Sequence, residues 1–128
     1  MNGELDRVAQ LQADYGATDA GPAWLLCDRH DPESIAFRVI REDLSFADIA
    51  YGALKTESER FAAALVSLGV GPGDRVATQM GKSRAYLVVL MGIWRVGAVH
   101  VPLFSAFAPP SIAVRLEGSK AKAVVADP

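Results

Sequence analysis

The sequence predicts an α/β fold, with a parallel β-α-β-α-β core layered with helices and preceded by a long helix and a short hairpin. The main observation is the apolar run Ala85 to Trp94, which is too long for a typical strand and too short to span a bilayer. It lies between runs with β character at 75–80 and 98–101, and a third such run follows at 123–126. Strands that alternate with helices favour parallel pairing with right-handed crossovers.

The first third of the chain predicts short helices and a hairpin. A short amphipathic helix is indicated by the apolar residues Leu5, Val8, Ala9 and Leu11. After a loop-like stretch at 16–22, Pro22 suits the first position of one or two helical turns that end at Asp31-Pro32. Ile35 to Ile40 has β character, and a turn at Glu42-Asp43 leads into a brief second strand, so we expect a hairpin.

A capping-box pattern predicts where the long helix begins. Ser45 and Asp48 occupy its polar positions, with Asp48 in place of the usual Glu or Gln. We expect this helix to run to about Leu68, with an inner stripe of Ala47, Ala50, Leu54, Phe61, Leu65 and Leu68. Gly69 followed by Val70 predicts a helix end in which Val70 folds back on the last turn.

Turn and capping residues delimit the core. Gly71-Pro72-Gly73 predicts a turn before the first core strand. Ser83 suits the N-cap of the buried helix, and Gly97 fits the position just after its end. The stretch 103–107 is expected to form a loop that exposes aromatic residues unless something packs on it. A helix over 111–117, opened by two prolines and ended by Gly118, leads to the third strand.

Composition limits the class of protein. The 128 residues are 51% hydrophobic, so a real core can form. We treat residues 1–128 as one domain, which consists of a helical extension at 1–33 and an α/β subdomain at 34–128. The net charge of −2 and the lack of a basic run argue against a nucleic-acid partner. No stretch suits a membrane span or a secretory signal. Cys27 is the single cysteine, which excludes a disulfide framework and a cysteine zinc site and favours a cytoplasmic location.

The common nucleotide-binding motifs are not met. Gly81-Lys82-Ser83 is similar to the tail of a P-loop, but that loop needs a glycine where Val76 stands. A structural turn is therefore predicted at 81–83. Gly69, Gly71 and Gly73 follow a helix and precede a strand, which is the reverse of a dinucleotide fingerprint, so we expect turn glycines.

The histidines and the Asp74-Arg75 pair favour structural roles. The chain has two histidines, so no histidine-rich metal cluster is expected. His100 lies between Val99 and Val101, where a satisfied structural histidine is favoured over a catalytic base. Asp74-Arg75 is expected to hold the turn and the start of the strand. The residues by themselves thus predict a core, with no catalytic residue and no metal site.

Two stretches together resemble a known family. They are Gly-Val-Gly-Pro-Gly-Asp-Arg-Val-Ala at 69–77 and Gly-Ile-Trp-Arg-Val-Gly-Ala-Val-His-Val-Pro-Leu-Phe at 92–104. In this order and spacing they resemble the N-terminal part of the adenylate-forming (AMP-binding) acyl-CoA synthetases, in the acetyl-CoA synthetase-like branch. Cys-Asp-Arg-His at 27–30 is similar to a Cys-Leu-Asp-Arg-His stretch of that branch, and 45–48 falls at the family's Thr-Tyr-x-Glu/Asp helix start. The resemblance covers about Trp24 to Asp127.

The resemblance implies a ligase that uses ATP and Mg²⁺ to convert a carboxylic acid to an acyl-adenylate and then transfers the acyl group to coenzyme A. The family's phosphate loop, its ATP-binding residues and its C-terminal lysine lie downstream of such a segment. We therefore expect a partial N-terminal subdomain of the synthetase fold, inactive by itself, whose partner is the remainder of the same polypeptide. The sequence ends directly after the apolar run at 123–126, which is typical of an inner strand, so we also expect the natural polypeptide to continue. Apolar surface that faces the missing part would be exposed and would favour self-association.

One binding contact is carried over from the resemblance. In the acetyl-CoA synthetase branch a Phe-Gly-Gly stretch lines the coenzyme A channel, and Phe104, Ser105 and Ala106 occupy that place here. Both glycines are replaced in this sequence. The contact is expected in the intact enzyme only, and the alternative is a packed loop.

Two other functions stay open at this point. The chain could be a stand-alone, non-catalytic α/β module that binds a ligand or serves as a scaffold. It could also be a fragment of a peptide-synthetase adenylation domain, which shares the fold and passes its product to a carrier protein. The Cys-Asp-Arg-His stretch argues against this last alternative.

Overall fold

The computed structural model describes residues 2–128, and within them the chain forms four α-helices, one short π-helix and five strands. The helices are α1 (Asn2–Tyr15), the π-helix (Trp24–Asp28), α2 (Tyr51–Ser67), α3 (Arg84–Arg95) and α4 (Pro109–Ser119). The strands are β1 (Ile35–Ile40), β2 (Phe46–Ala50), β3 (Arg75–Gln79), β4 (Val99–Pro102) and β5 (Ala123–Ala126). No helix in the range 2–128 is both long and apolar enough to cross a membrane.

The core of the molecule is a parallel sheet with the strand order β4-β3-β5. In the central strand β3, Val76 pairs with His100 of β4 on one side and with Ala123 of β5 on the other. Helix α3 connects β3 to β4, and α4 connects β4 to β5 across β3. The predicted parallel β-α-β-α-β core is therefore confirmed.

The caps predicted around α3 are also confirmed. The Ser83 side chain accepts a hydrogen bond from the Tyr86 amide at 3.2 Å, as an N-cap does. Beyond the last turn, Gly97 has φ of 75°, a left-handed conformation that glycine adopts without steric cost. Gly73 has φ of 78° in the turn before β3, where the Asp74 amide donates to the Gly71 carbonyl at 3.1 Å.

The predicted helix start at Ser45 is wrong, because residues 46–50 form strand β2. This strand pairs antiparallel with β1, which confirms the hairpin and places Arg38 opposite Asp48. Asp48 therefore caps no helix, and its two carboxylate oxygens accept hydrogen bonds from Arg38 at 2.7 and 2.8 Å. Along β2, Phe46 and Asp48 are exposed whereas Ile49 is buried, as expected for a strand with one covered face. Cross-strand pairing thus outweighs the local capping signal.

The C-terminal end of α2 follows the prediction. Gly69 has φ of 83°, and the Val70 amide donates back to the Leu65 carbonyl at 3.0 Å, a Schellman ending that buries Val70. Of the expected inner stripe, Leu54 and Leu65 are buried. Leu68 is 75% exposed, because it is the C-cap and lies beyond the last inward-facing turn.

Two apolar clusters hold the helices to the two sheets. One packs the parallel sheet against α2 and α3, with Leu65, Val76, Val89 and Ile93 at its centre. The other joins the hairpin to the same helices and to the π-helix, through Cys27, Ile49, Leu54 and Met91. Helices α2 and α3 meet closely at Gly92, where an added Cβ would lie 3.1 Å from the Ser58 carbonyl oxygen. The added Cβ would also lie 2.6 Å from Phe61 Cδ1, so a larger residue would force that ring or the two helices to shift.

Helix α4 continues past Gly118, where its end was predicted. It includes Ser119, and Lys120 then takes the left-handed conformation with φ of 52°. Arg75 holds this end, since its Nε donates to the Ser119 carbonyl at 2.9 Å. A hydrogen bond from the first residue of β3 therefore sets the helix end, which the local glycine signal could not show.

Candidate functional site

The carboxyl edge of the parallel sheet is the candidate functional site. In open α/β sheets, ligands bind in the crevice outside the carboxyl ends of the strands, where successive connections leave in opposite directions. Here the chain leaves β3 towards β4 and then returns across β3 to β5. Three segments meet that edge: 80–83 after β3, 103–108 after β4, and 127–128 after β5.

The predicted residues Phe104, Ser105 and Ala106 lie on this edge, in the loop that follows β4. All three are exposed, and the Phe104 side chain is 64% exposed. The buried Leu103 anchors the start of the loop. Its amide donates a hydrogen bond to the Thr78 carbonyl oxygen at 2.8 Å, which continues the hydrogen bonding between β4 and β3. The structure thus presents an aromatic ring to solvent on a loop whose base is fixed.

Sequence reasoning placed Phe107 in an aromatic loop but missed its contacts with Phe104 and with Arg115 of α4. The Phe104 and Phe107 rings meet edge to face with their centroids 5.7 Å apart. Arg115, on α4, places its guanidinium carbon 4.0 Å from the Phe107 centroid, a cation–π contact. No sequence motif links the three residues, and only the packing of the loop against the first turns of α4 brings them together.

The stretch Gly81-Lys82-Ser83 forms the structural turn that was predicted. The Gly81 amide donates to an Asp127 carboxylate oxygen at 2.6 Å, which ties the end of β3 to the residue after β5. Ser83 is committed to capping α3. The backbone amide and the hydroxyl of this turn therefore have partners within the chain.

Asp74 and Arg75 also hold local structure, as predicted. The Asp74 carboxylate accepts from Lys122 Nζ and from the Gly71 amide, each at 2.8 Å. The hydrogen bond from Lys122 is the main reason that the pKa of Asp74 lies below its ordinary value. The ion pair of Asp74 with Lys122 therefore joins the turn before β3 to the residue before β5.

The histidine of the sheet, His100, has a local partner. Its Nε2 lies 2.7 Å from Thr78 Oγ1, and its ring is tilted towards Tyr86 of α3 with the centroids 6.3 Å apart. Burial lowers the pKa of His100, because the charged imidazolium is disfavoured away from water. The geometry is that of the satisfied structural histidine expected from the sequence.

The lowered pKa of His100 predicts a pH dependence of folding. Above the unfolded-state pKa of about 6.5 the histidine is neutral in both states, and the full stability is present. As the pH falls through that value the unfolded chain takes up a proton more readily, so stability is lost by at most about 1.4 kcal/mol per pH unit. We expect urea unfolding at about pH 7.5 and 5.5 to show this loss, within the histidine range.

The matched variants for this prediction are His100→Gln and His30→Gln. His100→Gln removes the titrating group and should make the free energy of unfolding nearly independent of pH between those two values. His30 lies outside the sheet, with its ring stacked on Tyr51 and its Nε2 3.2 Å from the Leu25 carbonyl oxygen, so His30→Gln is the control for the general loss of a histidine's contacts. If the free energy of unfolding of His100→Gln fell with pH as much as that of the wild type, the assignment of the pH dependence to this histidine would be contradicted.

A nearly buried charge network lies away from the sheet edge. Arg95, at the end of α3, donates to both carboxylate oxygens of Asp28, with Nη1 to Oδ2 at 2.7 Å, and its Nε donates to Ser58 Oγ at 2.8 Å. The Arg95 and Asp28 side chains are only 12% and 19% exposed. The hydrogen bonds from Arg95 lower the pKa of Asp28. These contacts tie the π-helix to α2 and α3, and no sequence pattern predicted them.

No three histidine, cysteine, aspartate or glutamate side chains in residues 2–128 are grouped so that they could hold a metal ion.

Comparison with known proteins relates the chain to acyl-coenzyme A synthetases. The family model described as "AMP-binding enzyme" matches residues 27–128. An acetyl-coenzyme A synthetase of Thiobacillus denitrificans is 35% identical over 116 residues, which cover 91% of this chain and 17% of that protein. A 3-hydroxypropionyl-coenzyme A synthetase of Metallosphaera sedula is 38% identical over 85 residues, covering 66% of this chain and 12% of that protein.

Comparison of the fold also relates the chain to acyl-CoA synthetases. The crystal structure of an acyl-CoA synthetase from Brucella canis superposes with a TM-score of 0.84 and 31% sequence identity, over 93% of this chain and 23% of that one. The chain therefore spans less than a quarter of that synthetase and 12–17% of the curated relatives it matches. The observed layers are those of one part of the acyl-CoA synthetase fold, as the resemblance implied. On the family match and these relatives, the chain belongs to the AMP-binding enzyme family.

Proposed function

We propose that the chain is the N-terminal segment of an ATP-dependent acyl-CoA synthetase, which converts a carboxylic acid to acyl-adenylate and then to acyl-CoA. The observation that carries the proposal is the superposition on an acyl-CoA synthetase over 93% of the chain at 31% identity. The intact enzyme would use ATP, Mg²⁺ and coenzyme A. The segment by itself would be inactive and supply framework, with the reacting groups held by the rest of the polypeptide. The buried free thiol of Cys27 supports a cytoplasmic location for it.

The exposed surface of the parallel sheet supports a packing role. All-parallel sheets normally have both faces covered. Here Val99 and Val124 on the two outer strands are 49% and 48% exposed, and Val114 of α4 is 68% exposed. These apolar side chains, together with the free edges of β4 and β5, suit contact with further strands or helices of the same polypeptide.

The same surface predicts self-association of the isolated chain. Apolar side chains that lack their cover favour contact between copies. We expect sedimentation velocity to show species larger than the monomer as the protein concentration rises. The double variant Val99→Lys, Val124→Lys should shift the distribution back to monomer, whereas the charge-matched change Ala63→Lys, Ser67→Lys at exposed positions of α2 should not. A clean monomer at high concentration would contradict the prediction.

The proposal includes contact between Phe104 and coenzyme A in the intact enzyme. The exposed ring and its fixed loop support this role, since aromatic faces stack on nucleotide bases with about 1–3 kcal/mol. In the full-length synthetase, Phe104→Ala should raise KM for coenzyme A by about tenfold with little change in KM for ATP. Phe46→Ala, at another exposed aromatic residue, is the matched control. Equal KM values in the two variants would leave Phe104 as a packed loop residue.

The proposed inactivity of the segment is tested by pyrophosphate exchange. The purified chain, mixed with ATP, Mg²⁺, labelled pyrophosphate and acetate or a longer fatty acid, should show no exchange above the background without acid. A saturable, acid-dependent exchange would show that the adenylate forms on these residues and would overturn this part of the proposal.

A further inference from the structure

The loop between β4 and α4 holds its two phenylalanine rings at the two ends of one tight turn. The Phe107 amide donates to the Phe104 carbonyl at 3.0 Å, which closes the four-residue turn 104–107. The two residues between them, Ser105 and Ala106, are exposed. Phe107 is half-buried and meets the exposed Phe104 ring edge to face. Phe107 is therefore the inner ring, against which the outer ring packs.

Arg115 fixes the inner ring to α4. Its guanidinium carbon lies 4.0 Å from the Phe107 centroid, and its Nη1 donates at 2.9 Å to the Ser111 carbonyl in the first turn of the helix. Within residues 2–128 the Arg115 side chain forms no ion pair, so no carboxylate competes with the ring for its charge. The contacts thus run from the helix through the guanidinium to Phe107 and then to Phe104.

This order of contacts pre-orients an exposed ring. The backbone is fixed on both sides of the turn, because Leu103 is buried and the Ala108 carbonyl accepts from the Ile112 amide at 3.2 Å. The remaining freedom of Phe104 is the rotation of its side chain, which the contact with Phe107 limits. A freely rotating side chain loses entropy when a ligand immobilises it, and a ring already held in one orientation avoids much of that loss.

We propose that Arg115 is a positioning residue for coenzyme A binding: it holds Phe107, and Phe107 holds the Phe104 ring in the orientation that stacks on the nucleotide base of coenzyme A. The proposal rests on the contact between Phe104 and coenzyme A proposed above. In this role Arg115 acts through the two rings and does not touch the substrate. Its effect on the rings is measurable in this chain without any synthetase activity.

The first measurement follows the two rings in the chain itself by nuclear Overhauser effects. We expect clear effects between the ring protons of Phe104 and Phe107, which Arg115→Met should reduce by about half because methionine keeps an extended side chain without the charge. Arg115→Lys should retain most of them, since an ammonium group also binds an aromatic face. Arg60→Met, at an exposed arginine of α2, is the matched control and should leave them unchanged. Unaltered effects in Arg115→Met would overturn the proposal.

The second measurement is the steady-state kinetics of the full-length synthetase. Arg115→Met should raise KM for coenzyme A about threefold, as the loss of an exposed cation–π contact does, with kcat and KM for ATP unchanged. Arg115→Lys should restore most of the affinity, and Arg60→Met should leave all three values unchanged. In the double variant Phe104→Ala, Arg115→Met, KM for coenzyme A should equal that of Phe104→Ala alone, because no ring is left to position.

The kinetic results separate failure of the positioning role from failure of the proposed function. A wild-type KM in Arg115→Met beside a raised KM in Phe104→Ala would overturn the positioning role alone. Effects that add in the double variant would overturn it in favour of direct contact between Arg115 and a phosphate group of coenzyme A. An unchanged KM in Phe104→Ala would overturn the proposed coenzyme A contact together with the positioning role. A full-length protein that forms no acyl-CoA would overturn the proposed function itself.

Discussion

Replacing Arg95 with alanine is expected to lower the free energy of unfolding by about 3 kcal/mol, the lower end of the range for leaving one partner of a buried ion pair unpaired, because this pair is nearly rather than fully buried. The Asp28 carboxylate, 19% exposed in the pair, would lose both of its hydrogen bonds from Arg95, and Ser58 would lose the donor to its hydroxyl. Urea denaturation followed by circular dichroism gives the difference between wild type and variant.

The matched control for this prediction is Arg84→Ala. Arg84 pairs with Glu57 on the surface, where the side chains are 45% and 37% exposed, so its loss should cost no more than about 1 kcal/mol. The double variant Asp28→Ala, Arg95→Ala should be less destabilised than the sum of the two single changes, because it leaves no unpaired charge. Equal losses for Arg95→Ala and Arg84→Ala would contradict a structural role for the network.

The second large effect is expected at Ile93. Its side chain is fully buried, at 0% exposure, in the cluster that packs α3 against the parallel sheet. Ile93→Ala should lower the free energy of unfolding by about 2–5 kcal/mol, through lost burial and the cavity that remains. The change should shift the urea midpoint and leave the slope of the transition unaltered.

A matched change on the surface distinguishes packing from helix propensity. Val114→Ala removes an apolar side chain that is 68% exposed on α4, so it should change stability by no more than about 0.5 kcal/mol. If Ile93→Ala were as mild as Val114→Ala, the sheet and α3 would not share the core described above.

The sequence predicted best where a local rule and the tertiary structure agree. Ser83, Gly69 and Gly97 mark helix ends because capping needs a hydroxyl acceptor or a left-handed residue, and the structure shows both. The alternation of apolar runs with helix caps was therefore enough to predict the parallel core and its order along the chain.

The errors occur where contacts outside an element decide its conformation. Ser45 to Asp48 carries a helix-start pattern, yet pairing with β1 makes it a strand. Gly118 is the local signal for the end of α4, yet Arg75 stabilises an end at Lys120. Arg75 lies 44 positions from Ser119, so no local pattern could reveal that contact. Strand β1 is near β2 in sequence, and there the predicted hairpin was the correct local signal and the capping pattern the wrong one.

The candidate site was predictable only in part. Phe104 to Ala106 came from a family resemblance, and the structure places them on the carboxyl edge of the sheet. Phe107 and Arg115 join them only through packing of the loop on α4. The ion pair of Arg95 with Asp28 joins residues 67 positions apart, a separation at which sequence patterns carry no signal.

The most direct measurement of the central claim is the activity of a chimaera. In it, this chain replaces the aligned segment of the Thiobacillus denitrificans acetyl-coenzyme A synthetase, to which it is 35% identical. The account predicts a folded enzyme that forms acetyl-CoA from acetate, ATP and coenzyme A, and that loses stability when Arg95 is replaced by alanine. A chimaera that folds with the parent's melting profile but makes no acetyl-CoA would contradict it.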